Sequence, residues 1–249
     1  MTLNFLIAPD FAPERFAGWH MLNTLLQRRS GIQLHLLTPA SPSEQAALLA
    51  EDKVDLVYAN PFDAADMIRN QGYLPFARPV GCSDEMVIAT GAESGVQKLE
   101  DLQPGSRIAL TDNKDVKLIG LRLLEPADLD ESQIEWVAVD SFQATARLTM
   151  KGEVQAGFFL ANAYASLSRM TRSQLRVLVE SRISDISHVV LAHPRTAGDL
   201  PRISEALLGI SAESGDGDVL EALGMAEGFE PMTQEEAEFM IDLMDTLLD

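Results

Sequence analysis

Short apolar runs alternate with longer amphipathic stretches along most of the chain. The apolar runs have the length and composition of buried strands, whereas the stretches between them repeat apolar positions every three or four residues, as helices do. Predicted strands cover residues 3–8, 33–37, 54–59, 73–78, 85–90, 107–110, 135–139, 156–160, 175–179 and 188–192. Predicted helices cover residues 13–29, 42–51, 61–70, 116–124, 142–150, 163–171, 197–208, 219–224 and 234–248. This alternation predicts an α/β fold built on mostly parallel strands.

One strand-to-helix junction, "VDLVYANPFDAADM" at residues 54–67, gathers polar groups at the end of a buried strand. Pro61 suits the first position of a helix, because the N–H group that proline lacks would have no acceptor within the helix at that position. Asn60 before it is a good N-cap. Ligands of open α/β sheets bind where strands end and the following helices begin. We therefore predict that Tyr58 and Asn60 contact a ligand; a core role for Tyr58 and simple capping by Asn60 are the alternatives.

Composition and charge exclude several classes of function. The chain has 249 residues, 46% of them hydrophobic, and carries a formal net charge of −19, which disfavours binding to nucleic acid or to an anionic bilayer. Its apolar runs are too short to predict membrane insertion. Cys82 is the single cysteine, so an intrachain disulfide or a thiolate zinc cluster cannot form. No cofactor and no metal are predicted.

The familiar enzyme motifs are absent from the sequence. His20, His35, His188 and His193 lack the HExxH spacing of zinc enzymes, and neither a GxSxG elbow nor a GxGxxG or GxxxxGK[ST] loop occurs. We predict a protein that is not an enzyme, with catalysis as the weaker alternative.

Six segments, in their order and spacing, resemble the substrate-binding proteins of phosphonate, phosphite and phosphate transporters. They are "KVDLVYANPF", "GYLPFARPV", "ESGVQKLEDLQPGSRIAL", "DSFQATARLTMKGEVQAG", "LRVLVESRISDISHVVLAH" and "ALGMAEGFEPMTQEE". The resemblance implies the two-lobed type 2 periplasmic-binding-protein fold, an α/β architecture with two mixed, mostly parallel sheets joined by two crossover strands, near residues 80–86 and 180–187. Lobe 1 would comprise residues 1–80 plus 185–249, lobe 2 would comprise residues 81–184, and a small-molecule ligand would lie in the cleft between them.

The segments of lobe 2 that would hold the ligand depart from the family pattern. Where the family has a Ser/Thr-rich turn for the anion, this chain has "TDNKDVKLIG", with Asn113 and Lys114. Phe142 stands where the family tends to have a histidine, and Gln155 in "GEVQAG" replaces a carboxylate that the family often carries. These departures predict a ligand that is less anionic and more apolar than a phosphonate, or a ligand that is weak or absent.

Other polar residues near the predicted strand ends are also candidate contacts. Ser41, Ser141 and Asn162 could donate hydrogen bonds to a ligand, although each could instead serve only as a helix cap. The predicted ligand-binding residues are Ser41, Tyr58, Asn60, Asn113, Lys114, Ser141, Phe142 and Asn162.

The start of the sequence, "MTLNFLIAPDFAPERF", does not resemble a secretory signal, which leads to the functional hypothesis. We expect a cytoplasmic small-molecule sensor whose lobes close on the ligand and signal to a regulatory protein partner. One alternative is a periplasmic solute-binding component of a phosphonate- or phosphate-type ABC importer whose signal peptide has been removed. A further alternative is a surface scaffold that has lost ligand binding, with the acidic C-terminal region as its contact.

Overall fold

The computed structural model describes residues 2–11, 13–182 and 185–248, except for the side chains of residues 114, 115, 247 and 248. The chain forms two compact units. Unit 1 contains Met1–Ser83 and Ser187–Met244, and unit 2 contains Asp84–Ile186 and the last residues, Asp245–Asp249. The interpretation of these units as ligand-binding lobes stays a prediction.

The described residues contain strands and helices in alternation. The strands are β1 (Thr2–Ile7), β2 (Gln33–Leu37), β3 (Leu56–Ala59), β4 (Leu74–Pro79), β5 (Met86–Gly91), β6 (Arg107–Leu110), β7 (Glu135–Ala138), β8 (Ala156–Leu160), β9 (Leu175–Glu180), β10 (Val189–Ala192) and β11 (Phe229–Pro231). The helices are α1 (Phe16–Ser30), α2 (Pro42–Ala50), α3 (Pro61–Gln71), α4 (Lys114–Leu123), α5 (Phe142–Met150), α6 (Ala161–Ser166), α7 (Arg169–Ser173), α8 (Leu200–Leu208), α9 (Gly217–Leu223) and α10 (Gln234–Leu248).

Unit 1 is built on a mixed sheet in the order β11-β4-β10-β3-β1-β2. Strand β1 runs parallel to both β2 and β3, whereas β10 runs antiparallel to β3 and to β4. Helix α1 buries Trp19, Leu22 and Leu26 in the core of this unit, and its C-terminus ends at Gly31, which adopts the left-handed conformation that glycine tolerates best.

Unit 2 is built on a second mixed sheet in the order β7-β6-β8-β5-β9. Strand β6 runs parallel to β7 and β8, and β5 runs antiparallel to β8 and β9. Phe158 and Phe159 on β8 are fully buried and point to opposite faces of the sheet, so each belongs to a different apolar cluster.

The prediction of an α/β fold with two mixed sheets is confirmed, but the prediction that the sheets are mostly parallel is wrong. Among the strand pairs of the described residues, four are parallel and five are antiparallel. A helix between two strands forces them parallel only when both strands join the same sheet in succession. Strands β5 and β10 each follow a passage of the chain from one unit to the other, so no crossover helix fixes their direction.

The predicted crossover strands are irregular segments in the part of the chain that the structure describes. Residues 80–85, and the described residues between β9 and β10, have no strand conformation. A backbone hydrogen bond of 2.8 Å, from Asp84 N–H to the Ile186 carbonyl, joins the two segments within unit 2. None of the described helices has the length and hydropathy required to cross a membrane.

Candidate functional site

In unit 1 the ends of the parallel strands gather several polar side chains at one edge of the sheet. Strands β1, β2 and β3 all end at this edge because they are parallel. The antiparallel strand β10 begins there, since its first residue, Val189, pairs with Ala59 at the end of β3. The edge therefore brings together Asp10 after β1, Tyr58 and Asn60 at the end of β3, and His188 before β10.

Asp10 and His188 form an ion pair that is largely shielded from water. The distance between His188 Nε2 and Asp10 Oδ2 is 3.1 Å, and the side chains are 14% and 17% exposed. Burial raises the pKa of the Asp10 carboxyl. The charge of His188, together with hydrogen bonds from His188, from the Asp10 backbone and from Asn60, outweighs this effect and lowers the pKa below its usual value. Asp10 is therefore a carboxylate at neutral pH.

A row of aromatic rings supports this ion pair. The Tyr58 ring stacks on the His188 ring with centroids 4.9 Å apart and planes 19° apart. Trp19 lies on Tyr58 at 4.6 Å, and Phe11 meets Trp19 edge-on at 6.1 Å. Tyr58 is 6% exposed, so most of its ring belongs to the core of unit 1. The row holds the imidazole of His188 in a fixed orientation.

The capping role predicted for Asn60 and Ser41 is confirmed, and their contact with a ligand stays a prediction. Asn60 Oδ1 accepts a hydrogen bond of 2.8 Å from Asp63 N–H at the start of α3, and Asn60 Nδ2 donates to the Asp63 carboxylate. Ser41 Oγ accepts a hydrogen bond of 3.2 Å from Glu44 N–H at the start of α2. A serine that accepts at a cap still carries a hydroxyl proton that it can donate.

In unit 2 the ends of β6 and β7 place two more candidates at one edge of the sheet. Asn113 Oδ1 caps α4 by accepting from Val116 N–H at 3.0 Å, and Ser141 Oγ caps α5 by accepting from Ala144 N–H at 3.2 Å. Phe142 is half-buried beside Ser141, with its ring 6.3 Å from the ring of Phe159. Phe142 therefore has a structural role in the core whether or not it also contacts a ligand.

Two of the predicted contacts, Asn162 and Lys114, lie in the first turns of helices. The prediction that Asn162 caps a helix is wrong, because α6 starts one residue earlier, at Ala161, and Leu160 occupies the N-cap position. Asn162 is exposed in the first turn of α6. Lys114 is the first residue of α4, and its side chain lies outside the part of the chain that the structure describes.

Gln155 lies at the opposite edge of the unit 2 sheet from Asn113 and Ser141. It immediately precedes β8, and its Oε1 accepts a hydrogen bond of 2.7 Å from Arg107 N–H at the start of β6. This hydrogen bond ties two neighbouring strands together. Gln155 therefore does not belong to the polar edge that Asn113 and Ser141 share, and the difference from the family at this position does not change that edge.

His193 follows β10 and so lies at the end of that strand opposite to His188. Burial and the charge of Arg195 lower the pKa of His193, although Asp52 and Asp55 act in the other direction. No group of three or more His, Cys, Asp or Glu residues in the described ranges is arranged to hold a metal ion.

The pH dependence of stability tests the state of Asp10. Because the pKa of Asp10 is lower in the folded protein than in the unfolded chain, its ionised carboxylate stabilises the folded state. This stabilisation is complete above the unfolded-state pKa of about 3.9 and is lost as the pH falls through the lower folded-state pKa. We expect Asp10→Asn to be less stable than the wild type at pH 6. The difference should shrink below pH 4, by at most about 1.4 kcal/mol per pH unit.

Urea unfolding between pH 6 and pH 3 measures this difference. The matched control is Asp242→Asn in the same unit, because that carboxylate is 79% exposed and its ion pair with Arg69 is screened by solvent. A difference between Asp10→Asn and the wild type that stays constant over this pH range would contradict the expected result.

Sequence reasoning missed Asp10, Trp19 and His188, as well as two residues of unit 2. The two residues of unit 2 are Ser181 and Glu85. Ser181 Oγ accepts a hydrogen bond of 2.8 Å from Met86 N–H and donates a short hydrogen bond to the Glu85 carboxylate. Asp10 had a local signal, because it follows the buried run "FLIAP" where a strand end is expected. His188 had no such signal, since its place beside β1 depends on the antiparallel direction of β10.

Comparison with known proteins gives a family and a fold. Residues 5–237 match the sequence model of the family described as the periplasmic substrate-binding protein of the phosphonate ABC transporter. No curated protein matches the chain.

Three similar solved structures share the fold at low sequence identity. A binding protein component of an ABC phosphonate transporter from Pseudomonas aeruginosa is 14% identical, with a TM-score of 0.79, and the match covers 98% of this chain and 86% of that one. A protein from Prochlorococcus marinus in complex with methylphosphonate is 13% identical, with a TM-score of 0.79 and coverage of 99% and 98%. A protein from Xanthomonas citri bound to ATP is 15% identical, with a TM-score of 0.74 and coverage of 100% and 98%.

Proposed function

Because the chain belongs to the family of periplasmic substrate-binding proteins of phosphonate ABC transporters, we propose that it binds a small phosphorus oxyanion as the solute-binding component of such an importer. The family is one of substrate-binding proteins and not of enzymes. The observation that carries the proposal is the collection of polar side chains at the strand ends of unit 1, where Asp10, Tyr58, Asn60 and His188 meet. Strand ends are where ligands of open α/β sheets bind.

The ligands of the similar proteins support this chemical class. One of them was solved with methylphosphonate and another with ATP, and both ligands carry phosphorus oxyanions. In unit 2 the candidate contacts are Asn113, Ser141 and Phe142, and in unit 1 they are Ser41, Tyr58 and Asn60. Closure of two lobes on the ligand, which the resemblance implies, stays a prediction.

Calorimetric titration and thermal melting test the proposal directly. The panel contains methylphosphonate, phosphite and phosphate, with methanesulfonate, acetate and amino acids as comparison ligands. A ligand present at one hundred times its dissociation constant adds about 2.7 kcal/mol to the free energy of unfolding. For a protein of this size, that corresponds to an increase in Tm of about 5 to 10 °C.

We expect binding heat and an increase in Tm with at least one phosphorus oxyanion. Absence of both effects with every phosphorus oxyanion would contradict the proposal. A response to a less anionic or more apolar member of the panel alone would instead support the altered ligand that the departures in lobe 2 predict.

The cytoplasmic sensor predicted from the sequence is less well supported by the family than the importer component. Both would bind a small molecule, so a binding assay does not separate them. Location does separate them, because an importer component is exported whereas the sensor is retained in the cytoplasm. Fractionation of cells that express the native gene, followed by detection of the protein, makes this distinction. The surface scaffold is the interpretation that predicts no response to any ligand in the panel.

A further inference from the structure

His188 stands out at the unit 1 edge because a carboxylate lies against it. We infer that His188, held by Asp10, is the unit 1 residue that recognises the acid group of an oxyanion ligand. This inference rests on the proposed function and names the contact that would give the site its preference for acids. Neither residue is among the contacts predicted from the sequence.

The geometry fixes the imidazole in place beside a carboxylate. Asp10 Oδ2 lies 3.1 Å from His188 Nε2, so a protonated ring and the carboxylate form a charge-assisted hydrogen bond. Stacking on Tyr58 at 4.9 Å fixes the plane of the ring. With 14% of the side chain exposed, His188 can meet a ligand while most of the ring stays shielded from water, where charge interactions are stronger.

The surrounding groups provide both a donor and an acceptor for the acid group of a ligand. Asp10 Oδ2 pairs with His188 Nε2, whereas Asp10 Oδ1 is buried and has no hydrogen-bond partner among the described protein atoms, so it can accept a hydrogen bond from a protonated oxygen of the ligand. Asp63, the other carboxylate nearby, accepts hydrogen bonds from Asn60 and from Gln45 at 2.5 Å. The titratable groups in contact with His188 are Asp10, which follows β1, and Tyr58 on β3.

Two buried donors lie in this part of the chain, one next to His188 in sequence and one in the row of rings. Ser187 Oγ and Trp19 Nε1 have no hydrogen-bond partner among the described protein atoms, and the residues are 4% and 2% exposed. An unpaired buried donor costs about 1 to 3 kcal/mol, so such groups are uncommon away from functional sites. Both are hydrogen-bond donors, the kind of group that binds an oxyanion.

The test compares methylphosphonate binding by the wild type and by His188→Gln from pH 5.5 to 8.5. Loss of one charge-assisted hydrogen bond should weaken binding about 10- to 100-fold at pH 6. The ratio between the two dissociation constants should fall toward one as the pH rises and the wild-type ring loses its proton. Methanesulfonate, whose charge does not change over this pH range, is titrated in parallel to separate ionisation of the ligand from that of the protein.

The matched control is His193→Gln, which removes a histidine from the other end of the same strand and should leave the affinity unchanged. Asp10→Asn should weaken binding more at pH 8 than at pH 5.5, because the ring loses the carboxylate that keeps it charged. Melting of each variant checks that it is folded. If His188→Gln does not fold, NMR titration of the wild-type His188 ring replaces it, and bound methylphosphonate should move its titration to higher pH.

The outcomes separate this inference from the proposed function. Binding of methylphosphonate with equal affinity by wild type and His188→Gln overturns the inference alone, as does a His188 titration that the ligand leaves unchanged. Failure of the wild type to bind methylphosphonate, phosphite or phosphate overturns both.

Discussion

Replacing Arg195 by methionine is expected to lower the free energy of unfolding of unit 1 by about 3 to 5 kcal/mol, since it leaves a buried carboxylate without its ion-pair partner. Arg195 Nε donates a hydrogen bond of 2.8 Å to Asp55 Oδ1. Its other nitrogens donate hydrogen bonds of 2.9 Å to the Asp52 carboxylate and 2.5 Å to the Val54 carbonyl. The Asp55 side chain is 7% exposed and also accepts from Asn4 N–H.

The arginine stays charged throughout the accessible pH range. Burial lowers the pKa of Arg195, but hydrogen bonds to Asp55 and Asp52 and their charges outweigh burial and raise it. The expected loss of stability is therefore independent of pH near neutrality. It corresponds to a decrease in Tm of about 6 to 20 °C for a protein of this size.

Tryptophan fluorescence can report this change for unit 1 by itself. The chain has two tryptophans, Trp19 in unit 1 and Trp136 in unit 2, so a Trp136→Phe background leaves a single reporter in unit 1. The control is Lys53→Met, because Lys53 is 72% exposed and its pair with Glu51 should contribute less than about 1 kcal/mol. Removing Asp55 as well, in Asp55→Asn with Arg195→Met, should cost less than the sum of the two single changes. Equal stability of Arg195→Met and the control would refute the prediction.

Gly18→Ala is expected to destabilise unit 1 by about 1 to 3 kcal/mol, although alanine is the better helix former by about 1 kcal/mol. Gly18 lies in the first turn of α1, where α1 packs on α9. A Cβ atom at this position would lie 2.7 Å from the Ala222 carbonyl carbon and oxygen and 2.8 Å from Leu223 N. These are backbone atoms, so relief requires the two helices to move apart.

Gly217→Ala is the matched control because Gly217 begins α9 and a Cβ atom there would meet nothing within 4 Å. We expect that change to be neutral or to stabilise the protein by less than about 1 kcal/mol. Urea unfolding of both variants in the Trp136→Phe background gives the comparison. A Gly18→Ala protein at least as stable as Gly217→Ala would show that α1 and α9 are not in close backbone contact.

The pattern of apolar and polar positions predicted most elements because strands and helices depend on neighbouring residues. Strands β2, β6 and β8 and helices α5 and α10 have the predicted bounds. The caps provided by Asn60, Ser41 and Ser141 were predictable for the same reason, since a cap pairs residues three positions apart. Strand β11 was missed because it has only three residues, which is too short for an alternation of apolar and polar positions to be recognised.

The candidate site was only partly predictable. Tyr58 and Asn60 could be named because they stand where one strand meets one helix. His188 could not, because Asp10 and His188 are separated by 178 residues and meet only when β10 joins the sheet antiparallel to β3. Gln155 was misinterpreted for a related reason, since the family pattern gives its position along the chain but not the sheet edge on which it lies.

The sequence by itself determined the α/β class, the family and the places where helices begin, because these depend on short-range spacing and on the order of segments. The tertiary structure alone decided the direction of β5 and β10, the ion pair of Asp10 with His188 and the close contact at Gly18. Each of these is a pairing of distant segments. The free energy of such a pairing comes from packing and from charges brought together. No local pattern in the chain indicates which distant segment will be the partner.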